Sequence, residues 1–183
     1  SGNVAVGRSC ADAYTANNIT AVGYGALGAA TTGGGNVAMG YNALAANTTG
    51  DNNTAFGYEA SESTTTGTNN TAVGSQALDA HTTSHSNAAF GFGALGGVTT
   101  GGNNVAVGYQ AGGGDSDSAA TGNSNVAVGR AALLKVTSGY ENVAVGAYSM
   151  QDITTGDNNV AVGMYSLDDI TEGTDNVAIG RDF

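Results

Sequence analysis

The residues of this chain best suited to chemistry lie in one glycine-rich segment. Asp115 and Asp117 alternate with serines in the run Gly112-Gly113-Gly114-Asp115-Ser116-Asp117-Ser118. Carboxylates at this spacing can ligate Ca²⁺, but the flanking residues match no calcium-loop motif, so a solvated insertion stands as the alternative. Because recognition residues often lie on loops that project from a rigid scaffold, we also predict Asp115, Ser116 and Asp117 as receptor-binding residues.

A second candidate surface is formed by the residue that follows a recurring glycine. This position holds an aromatic residue in five copies (Tyr24, Tyr41, Tyr58, Phe92, Tyr109) and arginine in three (Arg8, Arg130, Arg181). Stacking of the copies would bring Arg8 near Tyr24 and Arg130 near Tyr109, at cation–π distance. One interpretation is a column that stacks on itself. The functional alternative is a glycan platform that includes Tyr41 and Tyr58, since flat aromatic faces suit sugar rings.

The remaining reactive residue types do not form a catalytic motif. The single cysteine, Cys10, takes a position that holds alanine or serine in other copies, so we expect it to fill a small slot. His81 and His85 have no motif partner, and we expect them to face solvent. Paired carboxylates such as Asp168-Asp169 recur as turn residues. We therefore predict no enzyme and no cofactor, with Ca²⁺ as the one metal to consider.

The elements that position these residues follow from a repeat. The triplet Ala-(Val, Met, Phe or Ile)-Gly occurs eleven times, and its glycines are separated by 16, then five times 17, then 21, then three times 17 residues. Leu, Ile, Val and Phe number only 31 of 183 residues, and the net charge is −11, a composition typical of disorder. A repeating chain needs few large side chains, however, because each unit uses its neighbours as its core. The period therefore favours an ordered repeat domain.

Each repeat predicts which side chains lie inside. The fourth residue before the glycine is asparagine in ten of eleven copies, and we expect these side chains to form a structural ladder along the rod. The residue two before the glycine is always alanine, which indicates a narrow interior. The predicted interior alanines are Ala38, Ala55, Ala72, Ala106, Ala127, Ala144 and Ala161.

These patterns predict an all-β fold. A helix would carry glycine and β-branched residues at unfavourable interior positions in every copy. We predict a parallel β-solenoid of about eleven coils of 17 residues, with two short strands and two turns in each coil. It forms a single domain over residues 1–183, with a four-residue insertion within 109–128, and we expect it to be a fragment of a longer fibre.

The branched residues on both sides of each alanine must then point outward. A large exposed apolar face usually marks an interface, and three chains packed on it around an axis would bury it. We therefore predict an intertwined or side-by-side homotrimer. The predicted interface residues are Val37, Met39, Phe56, Val105, Val107, Val126, Val128, Val143, Val145, Val160 and Val162.

Charge excludes two classes of partner. Lys and Arg number 4 against 15 Asp and Glu, whereas nucleic-acid binding needs clustered cations. Anionic membranes are disfavoured for the same reason, and no apolar run is long enough to span a bilayer. We expect neither nucleic-acid binding nor membrane insertion.

The segment Asn103-Asn104-Val105-Ala106-Val107-Gly108 resembles the head repeat of trimeric autotransporter (YadA-like) adhesins. The fuller unit Asn53-Thr54-Ala55-Phe56-Gly57-Tyr58-Glu59-Ala60, with its Thr-Thr-Gly linkers, is similar to repeats of bacteriophage tail fibres. The resemblance implies a left-handed β-roll in a trimeric appendage. It also implies a place in a virion tail or on a cell surface, and attachment to a cell-surface glycan or protein receptor. The alternative is a structural shaft or filament-forming subunit without its own receptor site.

Overall fold

One three-residue strand from each repeat joins a single parallel sheet, in a computed structural model that describes residues 2–13, 15–29, 32–113 and 119–182. The strands follow one another in chain order across the sheet. They are β1 (Val4–Val6), β2 (Thr20–Val22), β3 (Val37–Met39), β4 (Thr54–Phe56), β5 (Thr71–Val73), β6 (Ala88–Phe90), β7 (Val105–Val107), β8 (Val126–Val128), β9 (Val143–Val145), β10 (Val160–Val162) and β11 (Val177–Ile179). The predicted all-β parallel solenoid is confirmed.

The register keeps equivalent residues of successive coils in contact. The central alanines pair with one another, as in Ala38 with Ala55, and the register continues through the 21-residue step, where Ala106 pairs with Ala127. Each coil therefore repeats the backbone path of the one before it. No helix within the described ranges has the length and apolarity needed to cross a membrane.

The predicted second strand of each coil is wrong. After Gly40 the chain turns repeatedly, and Asn42 and Leu44 have φ values of 53° and 52°. Such left-handed residues break an extended path and cost free energy for residues other than glycine. Leu44 is nevertheless fully buried, so burial of its side chain offsets that cost. Each coil is one short strand followed by a run of turns.

The interior of the coil is filled mainly by small side chains. The seven alanines predicted as interior residues are at most 1 % exposed. Opposite them lie the small residues three positions after each glycine, such as Ala43, Ala60 and Ala94, and next to these the leucines of the turns. Two layers of backbone are therefore separated by little more than methyl groups.

Eleven glycines follow the strands and are here called the strand glycines, and contact between backbones requires glycine at the first ten of them. Gly108 has a φ of 139°, and a Cβ on it would lie 2.6 Å from the carbonyl oxygen of Gly129 in the next coil. A real Cβ does not approach an oxygen so closely, and this region of φ is also unfavourable for side chains. The same clash with the next strand glycine recurs along the stack, from Gly7 to Gly163.

The asparagines before the strands form the predicted ladder, here called the asparagine ladder. Asn87 Oδ1 accepts a bond of 2.9 Å from the backbone N–H of Asn104, and its Nδ2 donates to the carbonyl of Gly101 at 3.0 Å. The ladder crosses the long step unbroken, because Asn125 N–H donates to Asn104 Oδ1 at 2.9 Å. Each buried side chain of the ladder therefore satisfies two backbone groups of the following coil.

Gly108→Ala tests the backbone contact. We expect a loss of more than about 3 kcal/mol in unfolding free energy, from strain in φ and the clash with Gly129. Gly34→Ala is the matched control, since a Cβ there meets nothing closer than 3.3 Å and should cost less than about 1 kcal/mol. Thermal and urea unfolding measure both, and equal losses would contradict the explanation.

Asn87→Ala tests the asparagine ladder. It leaves a buried N–H and a buried carbonyl without partners, and we expect a loss of about 2–4 kcal/mol. Asn3→Ala removes the equivalent bonds to Ile19 and Ala16 in the exposed first coil. Water can replace those bonds, so that variant should lose under about 1 kcal/mol. The comparison is made by urea unfolding, and a similar cost for both variants would show that burial does not govern the ladder.

Candidate functional site

The outward side chains of the eleven strands form a mainly apolar surface, here called the sheet face, in which Thr20, Thr54 and Thr71 are the polar members. Met39 and Phe56 are 38 % and 37 % exposed although both are large and apolar. Of the predicted interface residues, six are exposed and five are half-buried. The exposed ones are Met39, Phe56, Val105, Val107, Val145 and Val162, and the half-buried ones are Val37, Val126, Val128, Val143 and Val160. All of them point away from the coil interior.

The residues that follow the strand glycines are here called the edge column. Its aromatic members stack on one another as flat rings. Tyr24, Tyr41 and Tyr58 lie in sequence with centroid distances of 5.3 and 5.2 Å and interplanar angles of 9°. Phe92 and Tyr109 form a second stack at 5.3 Å. Rings on both sides cover the faces of Tyr41, so a ligand reaches only its edge and hydroxyl. Tyr58 keeps one face free, on the side of Ser75.

Arginines extend these stacks by the two predicted cation–π contacts. Arg8 Cζ lies 5.9 Å from the Tyr24 centroid, and Arg130 Cζ lies 5.8 Å from that of Tyr109. The sequence interpretation missed that Arg130 also lies 5.3 Å from Tyr148. Tyr148 follows its strand glycine by two positions rather than one, and it stacks on Tyr165 at 5.0 Å. The recurrence of these tyrosines after 17 residues was the available signal.

Acidic side chains lie near the Tyr58 hydroxyl. A hydrogen bond with Glu59 raises the pKa of the Tyr58 hydroxyl. Burial raises the pKa of Asp79, and the charges of Glu59 and Glu62 raise it further. Gln76 Nε2 donates to Glu59 at 3.3 Å, and Asn42 Nδ2 donates to Glu62 at 2.9 Å. Among the described residues, the side chains that donate to these two glutamates are uncharged. This part of the edge therefore keeps its negative charge.

Backbone hydrogen bonds anchor the described residues on both sides of the extra residues in the 21-residue step. Gly97 N–H donates to the Gly113 carbonyl at 2.7 Å, and the N–H of Ala120 donates to the Gly97 carbonyl at 2.8 Å. The extra residues are thus confined between Gly113 and Ala120. Asp115, Ser116 and Asp117 lie outside the described residues, so their assignment as receptor or Ca²⁺ ligands stays a prediction.

Gly112 takes the place of the leucine found in most other coils, and a small cavity lies beside it. The cavity is lined mainly by apolar side chains, among them Leu95, Val98 and Val136. Ala120, which pairs with Val98 of the preceding coil, also lines the cavity, and Leu95 Cδ2 would lie 2.7 Å from a Cβ on Gly112. Among the described residues, no group of three or more His, Cys, Asp or Glu side chains is placed to hold a metal ion.

His81 does not face solvent as predicted. It is fully buried in an interior column, with Nδ1 3.0 Å from Thr64 Oγ1 and no partner for Nε2. Burial lowers the pKa of His81 to about 4. The signal was the position, seven residues after a strand glycine, where other coils carry Val98, Val136 or Ile153. His85 is exposed, as expected.

Cys10 lies in the small-residue slot predicted for it. It is 7 % exposed, and its Sγ lies 3.3 Å from the carbonyl oxygen of Ala21. Burial raises the pKa of the thiol, so the reactive thiolate is disfavoured. The environment of Cys10 is therefore that of a packing residue.

Comparison of the chain with protein-family models, with curated proteins and with solved structures gives no match.

His81 predicts a pH dependence of stability. Because its folded pKa of about 4 lies below the ordinary value of 6.5, the unfolded chain binds more protons between these values. Its contribution, on the order of 3 kcal/mol, is present above pH 6.5 and is lost as the pH falls towards 4.

The variant His81→Asn should flatten the curve of unfolding free energy against pH in this window, because an amide side chain does not titrate. Urea unfolding of the wild type and the variant at successive pH values measures the difference. If the wild type and His81→Asn lose stability in parallel, the buried histidine is not responsible.

Proposed function

We propose that the protein is a non-enzymatic segment of a trimeric surface fibre, built as a left-handed β-roll and used for attachment to a host surface or receptor. In this proposal it belongs to a phage tail fibre or an adhesin head, in a virion tail or at a cell surface. It needs no cofactor, and it neither binds nucleic acid nor enters a membrane. The observation that carries the proposal is the sheet face.

The sheet face supports a trimer because it is mainly apolar, and its residue before each strand glycine is apolar in all eleven strands. Contiguous apolar surface of this extent is costly in water and usually belongs to an interface. The interior cannot take these side chains, since the alanines leave no room for them. Association with two further copies would cover the outward rows and leave the edge and turns of each coil accessible.

Attachment is supported by what the rod presents outside the sheet face. The insertion after Gly113 is the one departure from the 17-residue period after the first step, and the exposed edge column carries aromatic rings. Flat rings and projecting loops are common recognition elements. The receptor in this proposal is a cell-surface glycan or protein.

A shaft without its own receptor site is the second candidate. The asparagine ladder runs from Asn36 to Asn176 without interruption, even across the long step. A regular hydrogen-bonded rod is well suited to holding another element at a distance, or to stacking end to end as a filament. Binding of the isolated protein to host cells separates the two, because a shaft shows none.

Phe56→Glu tests the trimer. A charge at the centre of a closed apolar interface should convert trimer to monomer in sedimentation velocity, because the carboxylate would be buried without a partner. Gln151→Glu adds the same charge in a turn and should leave the trimer intact. Sedimentation of the unmodified chain as a monomer, with native circular dichroism, would overturn the proposed trimer.

The double substitution Tyr41→Ser and Tyr58→Ser tests the glycan platform. If the rings hold sugar, binding to a glycan array or to host cells should fall by at least about tenfold, the equivalent of one lost stacking contact. Loss of the stack should also lower the melting temperature. Unchanged binding with lowered stability would assign the two tyrosines a purely structural role.

A further inference from the structure

In the edge column, one position without an aromatic ring separates two aromatic stacks. Tyr24, Tyr41 and Tyr58 form the first stack, Phe92 and Tyr109 the second, and Ser75 occupies the step between them. Successive coils are about 4.8 Å apart, so Tyr58 and Phe92 are separated by about 10 Å, twice that spacing. The small side chain of Ser75 leaves a slot one ring wide, bounded by two exposed aromatic side chains.

The edge column itself shows which side chain can lie between two rings. Arg130 lies between two rings, with its Cζ 5.8 Å from the Tyr109 centroid and 5.3 Å from that of Tyr148. A guanidinium is planar and more weakly hydrated than an ammonium, and it stacks on aromatic faces. Tyr58 and Phe92 offer a similar pair of rings without a cation of their own.

The negative charge next to the slot favours a cation as its ligand. Gln76, the residue after Ser75, donates from Nε2 to Glu59 at 3.3 Å, which places the Glu59 carboxylate on the side of Tyr58 that carries the slot. Glu62 accepts from Asn42 on the opposite side, that of Tyr41. All four cations of the chain are engaged elsewhere. Lys135 pairs with Asp152 at 2.9 Å and Arg181 with Asp182 at 3.2 Å, while Arg8 and Arg130 lie over their own tyrosines.

We infer that the slot between Tyr58 and Phe92, floored by Ser75, binds an arginine side chain of a partner protein. The guanidinium stacks between the two rings as Arg130 does, and the carboxylate of Glu59 faces its charge. This goes beyond the proposed attachment role and does not depend on trimer formation. A monomeric chain would overturn the trimer and leave the slot in place.

The probe is the capped tripeptide acetyl-Gly-Arg-Gly-amide, titrated into the ¹⁵N-labelled full chain. We expect saturable shifts of the backbone signals around Ser75, Gln76 and Gly57. The lysine analogue should bind at least about threefold more weakly, because an ammonium lacks the planar stacking face. Equal binding of the two peptides would overturn the inference, and so would shifts elsewhere.

Two variants at Ser75 complete the test. Ser75→Tyr places a ring where four neighbouring coils of the column already carry one, so it should fold, raise the melting temperature and weaken peptide binding at least about tenfold by filling the slot. Ser75→Ala keeps the slot open and should retain binding within about twofold. Undiminished binding by Ser75→Tyr contradicts the slot. If a neutral disaccharide shifts the same signals to saturation and the arginine peptide does not, the slot binds a sugar and not the arginine of a partner.

Discussion

The close contact between successive strand glycines sets the geometry on which the rest of this rod depends. Where the backbone of one coil rests on the carbonyl of the next, as at Gly108 and Gly129, no side chain fits. This contact fixes the coil spacing and register. The spacing in turn lets each asparagine reach the backbone of the following coil, so that two buried groups are satisfied per side chain. Steric exclusion and hydrogen bonding therefore specify the same stack.

The narrow interior of the coil determines which side chains lie on its outer surface. Because the space between strand and turns holds alanine, serine and at most two large apolar residues per coil, such as Leu95 and Val98, the larger branched and aromatic side chains of the strands lie on the outer surface. The hydrophobic burial available within a single chain is correspondingly small, and a close-packed neighbour would add to it. Fold and proposed assembly thus have a common cause in the width of the coil.

At the edge of the rod, one stacking geometry accommodates both ring–ring and ring–arginine contacts. Aromatic rings repeat at the coil spacing, and arginine continues the stack at Arg8 and Arg130. These contacts support the turns on which the column lies. Where the pattern lapses at Ser75, the same geometry leaves exposed ring faces beside carboxylates. The proposed arginine slot therefore lies where the structural repeat departs from its pattern.

The sequence by itself determined the period, the strand positions, the asparagine ladder and the two contacts of Arg8 and Arg130 with tyrosine, because each depends on what recurs at one spacing. It did not determine the path after each glycine, where Leu44 adopts a left-handed conformation. Hydrogen bonds impose that path, since Asn42 donates to the coil before and Leu44 to the coil after. Only the tertiary structure decided that His81 is buried and that Arg130 also meets Tyr148. These outcomes depend on which residues of separate coils lie side by side, whereas the sequence displays them only in order along one chain.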